Sequence, residues 1–367
     1  MIKHNANNER IKRDYFVFLK EARQQSEASV DAVAKAIARF ESHTRCRDFR
    51  QFHIEQAMAF KRQLVEQDSV ATGQKLSRST VHATLRHLVQ FFEWLAGQPG
   101  YRSRFSFSDA AYFNASGADA RVAKAARERP VPTLEQIRHV LTAMPTGTDI
   151  ELRNRALIAL TLLTGARDGA VASFKLKHIR LERSCVNQDA REVRTKNSKT
   201  FVSAFFPVGD DVRQIVVDWV NHLRTNLLWG PNDPLFPATA VVLSADHQFV
   251  PAGLKREHWS NASPIRTIFR EAFAAVGLPY FNPHSFRKTL AQLGESLCRS
   301  PEEFKAWSQN LGHEGVLTTL ISYGTVPVRR QVELMQGLGS APSANARKLA
   351  EQVMALAQAA VAGRGER

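Results

Sequence analysis

Six side chains in the second half of this 367-residue chain could together attack a phosphodiester without a metal ion. Five are cationic or can donate a proton, and the last is a phenol; in chain order they are Arg167, Lys196, His284, Arg287, His313 and Tyr323. Guanidinium groups bind phosphate oxygens bidentately and keep their charge at neutral pH. Two arginines could therefore hold both non-bridging oxygens of one phosphate while the phenol acts as the nucleophile.

The phenol of Tyr323 needs help from its neighbours, because an unperturbed phenol has a pKa near 10. Forming the phenolate at pH 7 costs about 4 kcal/mol, and nearby cations can supply that stabilisation. A lysine in a tight turn, such as Lys196, could protonate the leaving oxygen, since cationic surroundings lower its pKa. Taken singly, each of these residues is more typical of a surface salt bridge or a solvated turn.

The spacing of the site residues suggests how local structure positions them. His284 and Arg287 are three residues apart after Asn282-Pro283, so a helix that starts there places both side chains on one face. Arg167 follows the Thr164-Gly165-Ala166 turn that separates two apolar helical segments.

Residues 9–95 have the apolar periodicity of several helices separated by short polar breaks. The last of these helices is predicted to be capped by Ser77 or Ser79. Its polar face carries a basic stripe suited to phosphates, although a solvated helix face is the plainer interpretation. The stripe residues that we assign to DNA binding are Arg78, His82 and Arg86.

The chain is predicted to consist of four segments: a helical DNA-binding domain (1–117), a basic linker (118–131), a catalytic domain (132–340) and a C-terminal helical tail (341–367). Arg121 and Lys124 are linker residues expected to follow a DNA backbone. An alanine-rich amphipathic pattern predicts the tail helix, which could dock on its own domain or on a neighbouring subunit.

The second domain is predicted to be mainly α with a small β-hairpin. Thr133 and Gln136 form a capping-box pattern at its start. Two strands, 191–195 and 200–206, are expected to flank a turn that contains Lys196 and Lys199, and Lys199 is assigned to DNA binding. Helical periodicity returns at about 211–228, 264–276, 284–298 and 302–310.

Composition indicates a polyanionic partner, with double-stranded DNA as the first candidate. The 50 lysines and arginines outnumber the 35 acidic residues, which gives a net charge of +15 and a pI near 10.1. Cys46, Cys185 and Cys298 have no zinc-ligand spacing, and no GxxxxGK[ST] phosphate loop occurs, so neither a metal nor a nucleotide cofactor is expected. No apolar segment is long enough for a membrane span or signal, which predicts a cytoplasmic, nucleoid-associated protein.

Four stretches in one register resemble the tyrosine recombinase, or phage integrase, family: LLTGARDGA (162–170), RTKNSKTFV (194–202), HSFRKTL (284–290) and LGHEGVLTTLISYG (311–324). The helical N-terminal region resembles the family's core-binding domain. The resemblance implies that Arg167, His284, Arg287 and His313 bind the scissile phosphate. It further implies that Lys196 protonates the leaving 5′ oxygen and that Tyr323 forms a 3′-phosphotyrosyl link. Strand exchange is expected within a homotetramer, and the gene is expected to belong to a mobile element.

Two positions depart from the family pattern. Tyr323 follows His313 by ten residues where nine is usual, and Ala170 stands where a glutamate commonly follows the first arginine by three. Asp168 is the candidate to replace that glutamate. The alternatives to a recombinase are a type IB topoisomerase, which shares the chemistry but only relaxes supercoils, a non-catalytic DNA-binding regulator, and a metal nuclease, for which no paired acidic motif is present.

Overall fold

The computed structural model describes residues 4–69, 73–117, 130–244 and 246–313. The chain separates into two compact units, Met1–Arg127 and Glu128–Arg367. The predicted tail, Tyr323, Arg121 and Lys124 lie outside the described residues, as does most of the predicted linker.

The first unit is helical, as the periodicity of residues 9–95 predicts. Its α-helices are α1 (Ala6–Val17), α2 (Glu27–His43), α3 (Ile54–Glu66), α4 (Arg78–Ala96) and the short α5 (Phe107–Ala110). A π-helical turn, Phe18–Ala22, continues α1, and 3₁₀ turns occupy Phe49–Gln51 and Ala111–Phe113. Ser77 caps α4 by accepting the backbone N–H of Thr80, which confirms the predicted cap.

Aromatic rings fill the core of this unit. Phe92 of α4 packs against Phe52 at a centroid distance of 4.3 Å and against Phe113 at 5.0 Å, and Phe40 of α2 meets Phe92 edge-on at 5.4 Å. These buried aromatic contacts anchor α4 through its apolar face. The opposite face, which carries the basic stripe, is consequently turned outward.

The second unit is also mainly helical. Its α-helices are α6 (Leu134–Ala143), α7 (Asp149–Thr164), α8 (Asp168–Val171), α9 (Asp210–Asn221), α10 (Ser263–Ala275), α11 (Pro283–Leu297) and α12 (Pro301–Asn310). A π-helical turn, His222–Asn226, extends α9. The four late helices predicted from periodicity are therefore confirmed, and Thr133 with Gln136 forms the predicted capping box.

Helix α7 is the centre of the second core. Its residues from Ala156 to Thr164 are all buried, so this segment has an apolar surface all round. Helices α6, α9 and α11 pack against it. Because the last two turns of α7 are buried, the position of its C-terminal end is fixed. The chain turns there at Gly165 toward the predicted site.

The described residues of the second unit also form two antiparallel sheets. The first has the order β1 (Ile179–Arg180), β2 (Cys185–Gln188) and β3 (Phe201–Ala204), with Cys185 opposite Ala204 and Gln188 opposite Phe201. The second is a hairpin of β4 (Ala238–Leu243) and β5 (Phe249–Lys255), which the sequence pattern did not predict. Within the described ranges, no helix combines the length and apolar character needed to cross a membrane.

The predicted strand at 191–195 is wrong, because β3 pairs with 185–188 instead. The backbone of 189–195 forms turns: the N–H of Val193 donates to Asp189 O at 2.7 Å, and the Asp189 carboxylate accepts from the Arg191 backbone and guanidinium. The side chain of the β-branched Val193 is buried in the core of the second unit. Its strand propensity was therefore overridden by tertiary packing.

Candidate active site

Arg287, in the second turn of α11, is the centre of the candidate site. Asn282 caps this helix with its side chain, and Pro283 occupies the first turn. Only 5% of Arg287 is exposed. Its Nη1 donates to Gly165 O at 2.5 Å and its Nη2 donates to Leu311 O at 2.6 Å. The side chain thus ties the start of α11 to two segments that are distant in sequence.

The positive charge of Arg287 is buried, and no carboxylate among the described residues pairs with it. Desolvation, followed by repulsion from Arg167, lowers the Arg287 pKa to about 9, so the group stays protonated at pH 7. Carbonyl oxygens offset only part of the cost of burying such a charge. An anion bound at this position would supply the missing counter-charge.

Arg167 lies two residues beyond the left-handed turn at Gly165 and precedes α8. It is half-buried, and desolvation lowers its pKa. Among the residues that the structure describes, its guanidinium has no hydrogen-bond acceptor. A second arginine therefore presents unsatisfied donors beside Arg287, as binding of both non-bridging phosphate oxygens requires.

His284 is exposed in the first turn of α11, one turn before Arg287. Reduced hydration of the ring lowers its pKa, and the charges of Arg287 and Arg167 lower it further, while Asp168 acts in the opposite direction. These electrostatic interactions place His284, Arg167 and Arg287 in one cluster. At neutral pH the imidazole is neutral and retains one N–H that can donate to an anion.

His313 directly follows the turn after α12 and contacts Arg287. Its Nε2 lies 2.9 Å from Arg287 Nη2. Because a guanidinium can only donate, Nε2 accepts and the ring proton is on Nδ1. Loss of hydration, then the charges of Arg287 and Arg167, lower the His313 pKa to about 4. The ring is therefore neutral at pH 7.

Lys199 is a lysine whose charge acts on this cluster. Lys199 is half-buried two residues before β3, and its charge is among those that lower the His313 pKa. Lys196 starts the exposed 3₁₀ turn Lys196–Ser198, and its charge is not among the main ones that lower the His313 pKa. The sequence signal that favours Lys199 is the alternation of side chains along an extended chain. Phe201 and Ser203 contact residues 310–312, and Lys199, two residues before Phe201, belongs to the same face.

Asp168 does not pair with Arg167 in the part of the chain that the structure describes. One carboxylate oxygen accepts from both Nε and Nη2 of Arg266 at 2.8 Å, and the other accepts the Gly169 N–H at 2.9 Å. Asp168 thus links the Arg167 segment to α10, while the glutamate position of the family pattern holds the buried Ala170.

The predicted DNA-binding residues of the first unit lie on α4. Arg78 and Arg86 are exposed, and His82 is half-buried between them. All three are within the first nine residues of the helix, on the side away from the aromatic core. Basic side chains on successive turns of one helix are suited to contact with a polyanion.

Gly165 is a position where a substitution should be costly. Its φ is +59°, and an added Cβ would lie 2.8 Å from Leu311 Cδ2 and 3.1 Å from Leu290 Cδ1. We expect Gly165→Ala to reduce the free energy of unfolding by about 2–4 kcal/mol, from left-handed backbone strain and overpacking. Urea denaturation measures this loss. Gly147→Ala, at an exposed glycine with ordinary φ, should change stability by less than about 0.5 kcal/mol.

The lowered pKa of His313 predicts a specific dependence of stability on pH. Between the ordinary value of 6.5 and the folded value of about 4, the unfolded chain binds more protons at this residue, so the folded state loses stability as the pH falls. After allowance for solvent screening, we expect about 1 kcal/mol between pH 7 and pH 5. Urea unfolding of wild type and His313→Gln at both pH values tests this. The difference between the two proteins should shrink at pH 5, and a constant difference would contradict the expectation.

Comparison with known proteins places this chain in a family. Residues 131–327 match the phage integrase family. The tyrosine recombinase XerC of Lactobacillus delbrueckii subsp. bulgaricus is 26% identical over 258 residues, which cover 69% of this chain and 74% of that protein. The tyrosine recombinase XerD of Neisseria meningitidis serogroup B is 26% identical over 199 residues, covering 53% and 59%.

Solved structures share the fold at low sequence identity. A lambda integrase dimer bound to a COC′ core site has a TM-score of 0.58 and 14% identity, over 87% of this chain and 78% of that one. The Tn1549 transposon integrase in complex with circular intermediate DNA has a TM-score of 0.53 and 15% identity, over 89% and 99%. The family match covers more than half of the chain and includes every residue of the candidate site. The chain therefore belongs to the phage integrase family and is a site-specific DNA recombinase of the tyrosine type.

Proposed function

We propose that the scissile phosphate of double-stranded DNA binds at Arg287, with Arg167 and His284 completing the cradle. The observation that carries this proposal is the buried guanidinium of Arg287, which has no carboxylate partner within the described ranges. Two of its donors are held by Gly165 O and Leu311 O, which fixes the plane of the fork. A phosphate would neutralise it, and the unsatisfied donors of Arg167 lie in the same electrostatic cluster.

The reaction proposed at this cradle is a transesterification. The Oη of Tyr323 attacks the phosphorus, a P–Oη bond forms, and the P–O5′ bond breaks. The phenol proton is released to solvent, and a general acid gives a proton to the leaving 5′ oxygen, which becomes a hydroxyl. Attack by a 5′ hydroxyl from another strand reverses the step and restores Tyr323, so the phosphodiester energy is kept in the covalent link.

The proton donor is a lysine of the loop between β2 and β3. Motif resemblance favours Lys196, whereas placement favours Lys199, whose charge acts on His313. We assign the role to Lys199 because it lies two residues before Phe201 on an extended chain, and Phe201 and Ser203 contact residues 310–312 next to His313. Lys196 then becomes a contact to the DNA backbone, a role that suits its exposed 3₁₀ turn.

The proposed role of His313 follows from its hydrogen bond with Arg287. In the free protein its Nε2 accepts from Arg287. When a phosphate binds, its negative charge raises the pKa of the imidazole and favours a ring that donates to the anion. We infer that His313 changes from acceptor to donor as the DNA enters.

DNA binding outside the cradle is proposed for the basic stripe of α4 and for the linker. Arg78, His82 and Arg86 would contact backbone phosphates, together with Arg121 and Lys124. Each neutralised phosphate releases counter-ions, so affinity should fall steeply with salt concentration. We further propose that the active form on DNA is a homotetramer, and that the gene belongs to a mobile element.

A two-site exchange assay tests this function. Full-length protein is incubated, with EDTA and without nucleotide, with a supercoiled plasmid that carries two copies of the DNA flanking the gene. We expect plasmids with the intervening segment deleted or inverted. Relaxed plasmid without exchange would favour the topoisomerase alternative, and bound but unaltered plasmid would favour the regulator. Activity that requires a divalent metal would contradict the tyrosine mechanism.

A further inference from the structure

Asn310, the last residue of α12, completes the open edge of strand β3. Its Oδ1 accepts the backbone N–H of Ala204 at 2.6 Å, and its Nδ2 donates to Ala204 O at 2.9 Å. An amide side chain thus bonds both polar groups of one strand residue, as a neighbouring strand would. Within the described ranges β3 pairs with β2 on one side only, so this contact takes the position of a second ladder partner.

Two further contacts hold the same strand to the same turn. The buried Ser203 hydroxyl donates to Asn310 O at 3.0 Å and accepts from Gln188 Nε2 at 2.8 Å. The ring of Phe201 lies against Gly312, where an added Cβ would be only 2.6 Å from Cζ. Strand β3 is therefore fastened along its length to the segment that immediately precedes His313.

This attachment connects two parts of the candidate site. Lys199 lies two residues before β3, and the 310–312 turn contains Leu311, whose carbonyl holds Arg287. We propose that Asn310 is a positioning residue that fixes β3, and with it Lys199, at the scissile phosphate bound by Arg287. The inference rests on the proposed function, in which Lys199 protonates the leaving 5′ oxygen.

Loss of the two hydrogen bonds between Asn310 and Ala204 should impair one chemical event in particular. Proton transfer requires Lys199 Nζ within hydrogen-bond reach of the 5′ oxygen as the P–O5′ bond breaks. Without the Asn310 amide, the Ala204 N–H and C=O would turn to water and β3 would be free to move at its open edge. A displacement of about 1 Å is enough to cost about 10²-fold in rate.

A substrate that needs no proton donor separates this effect from general damage. In a 5′-bridging phosphorothiolate, sulfur replaces the 5′ oxygen, and the leaving group is a thiolate that is stable without a proton. Full-length variants are mixed with nicked duplexes that contain either oxygen or sulfur at the cleavage position. The rate of covalent adduct formation is read on denaturing gels.

On the oxygen substrate, we expect Asn310→Ala to react about 10- to 10²-fold more slowly than wild type, and Lys199→Ala about 10²- to 10⁴-fold more slowly. On the sulfur substrate, both should come within about threefold of wild type. The matched control is Gln309→Ala, which removes the adjacent, exposed amide, and it should match wild type on both substrates.

The outcomes distinguish the inference from the function on which it rests. If Asn310→Ala loses the same factor in rate on both substrates, Asn310 has a purely structural role and the proposal is overturned. An unchanged rate of Asn310→Ala on the oxygen substrate would also overturn it. If sulfur rescues Lys196→Ala and not Lys199→Ala, the acid is Lys196 and the proposed positioning of Lys199 is wrong. If wild type forms no adduct with either substrate, the proposed function itself fails.

Discussion

Replacing Tyr323 by phenylalanine is expected to abolish covalent attachment to DNA and leave DNA binding intact. The substitution removes only the oxygen that attacks phosphorus, and the other site residues are cations and imidazoles suited to binding the phosphate. A labelled, nicked duplex from the flanking DNA, incubated with each protein and run on a denaturing gel, measures the adduct. Gel-shift titration measures binding, which should agree within about twofold because no charge changes.

The chain offers a matched control for this change. Tyr280 is the other tyrosine in the last third of the chain, and its half-exposed ring stacks with Arg270 at 5.2 Å. Tyr280→Phe should retain the adduct at the wild-type level. An adduct that survives Tyr323→Phe would show that the ten-residue spacing from His313 has moved the nucleophile to another residue.

Local sequence was sufficient to predict the helices and their beginnings. The caps at Ser77 and Thr133 were predicted from the residues that accept the first free N–H groups. Apolar periodicity predicted α9 to α12 because each has one buried face and one solvated face. The shared face of His284 and Arg287 followed from a helix that starts at Pro283.

Contacts between distant segments were not predictable in this way. The two carbonyls that hold Arg287 are 122 and 24 residues away along the chain. No local pattern indicates that a surface-type HxxR motif contains a buried arginine. The misplaced strand has the same cause, because Val193 was drawn into the core and the ladder formed with 185–188 instead.

Arg287→Lys is expected to disable the enzyme even though it preserves the charge. A single ammonium cannot replace the planar fork that reaches Gly165 O, Leu311 O and a phosphate at once. We expect adduct formation to slow by about 10²- to 10³-fold, the usual loss when one donor to a developing anion is removed. The free energy of unfolding should fall by about 1–3 kcal/mol, because at least one buried carbonyl loses its donor.

These two losses must be separated, since a partly unfolded enzyme would also react slowly. Rates are therefore compared at a temperature where urea denaturation shows both proteins to be more than about 90% folded, so that the stability loss alone accounts for less than a twofold change in rate. Arg270→Lys, at an exposed arginine outside the site, provides the same chemical change and should leave both quantities unaltered. If Arg287→Lys reacts within tenfold of wild type under these conditions, the buried guanidinium is a structural tie between α11, Gly165 and Leu311, and the phosphate is held elsewhere.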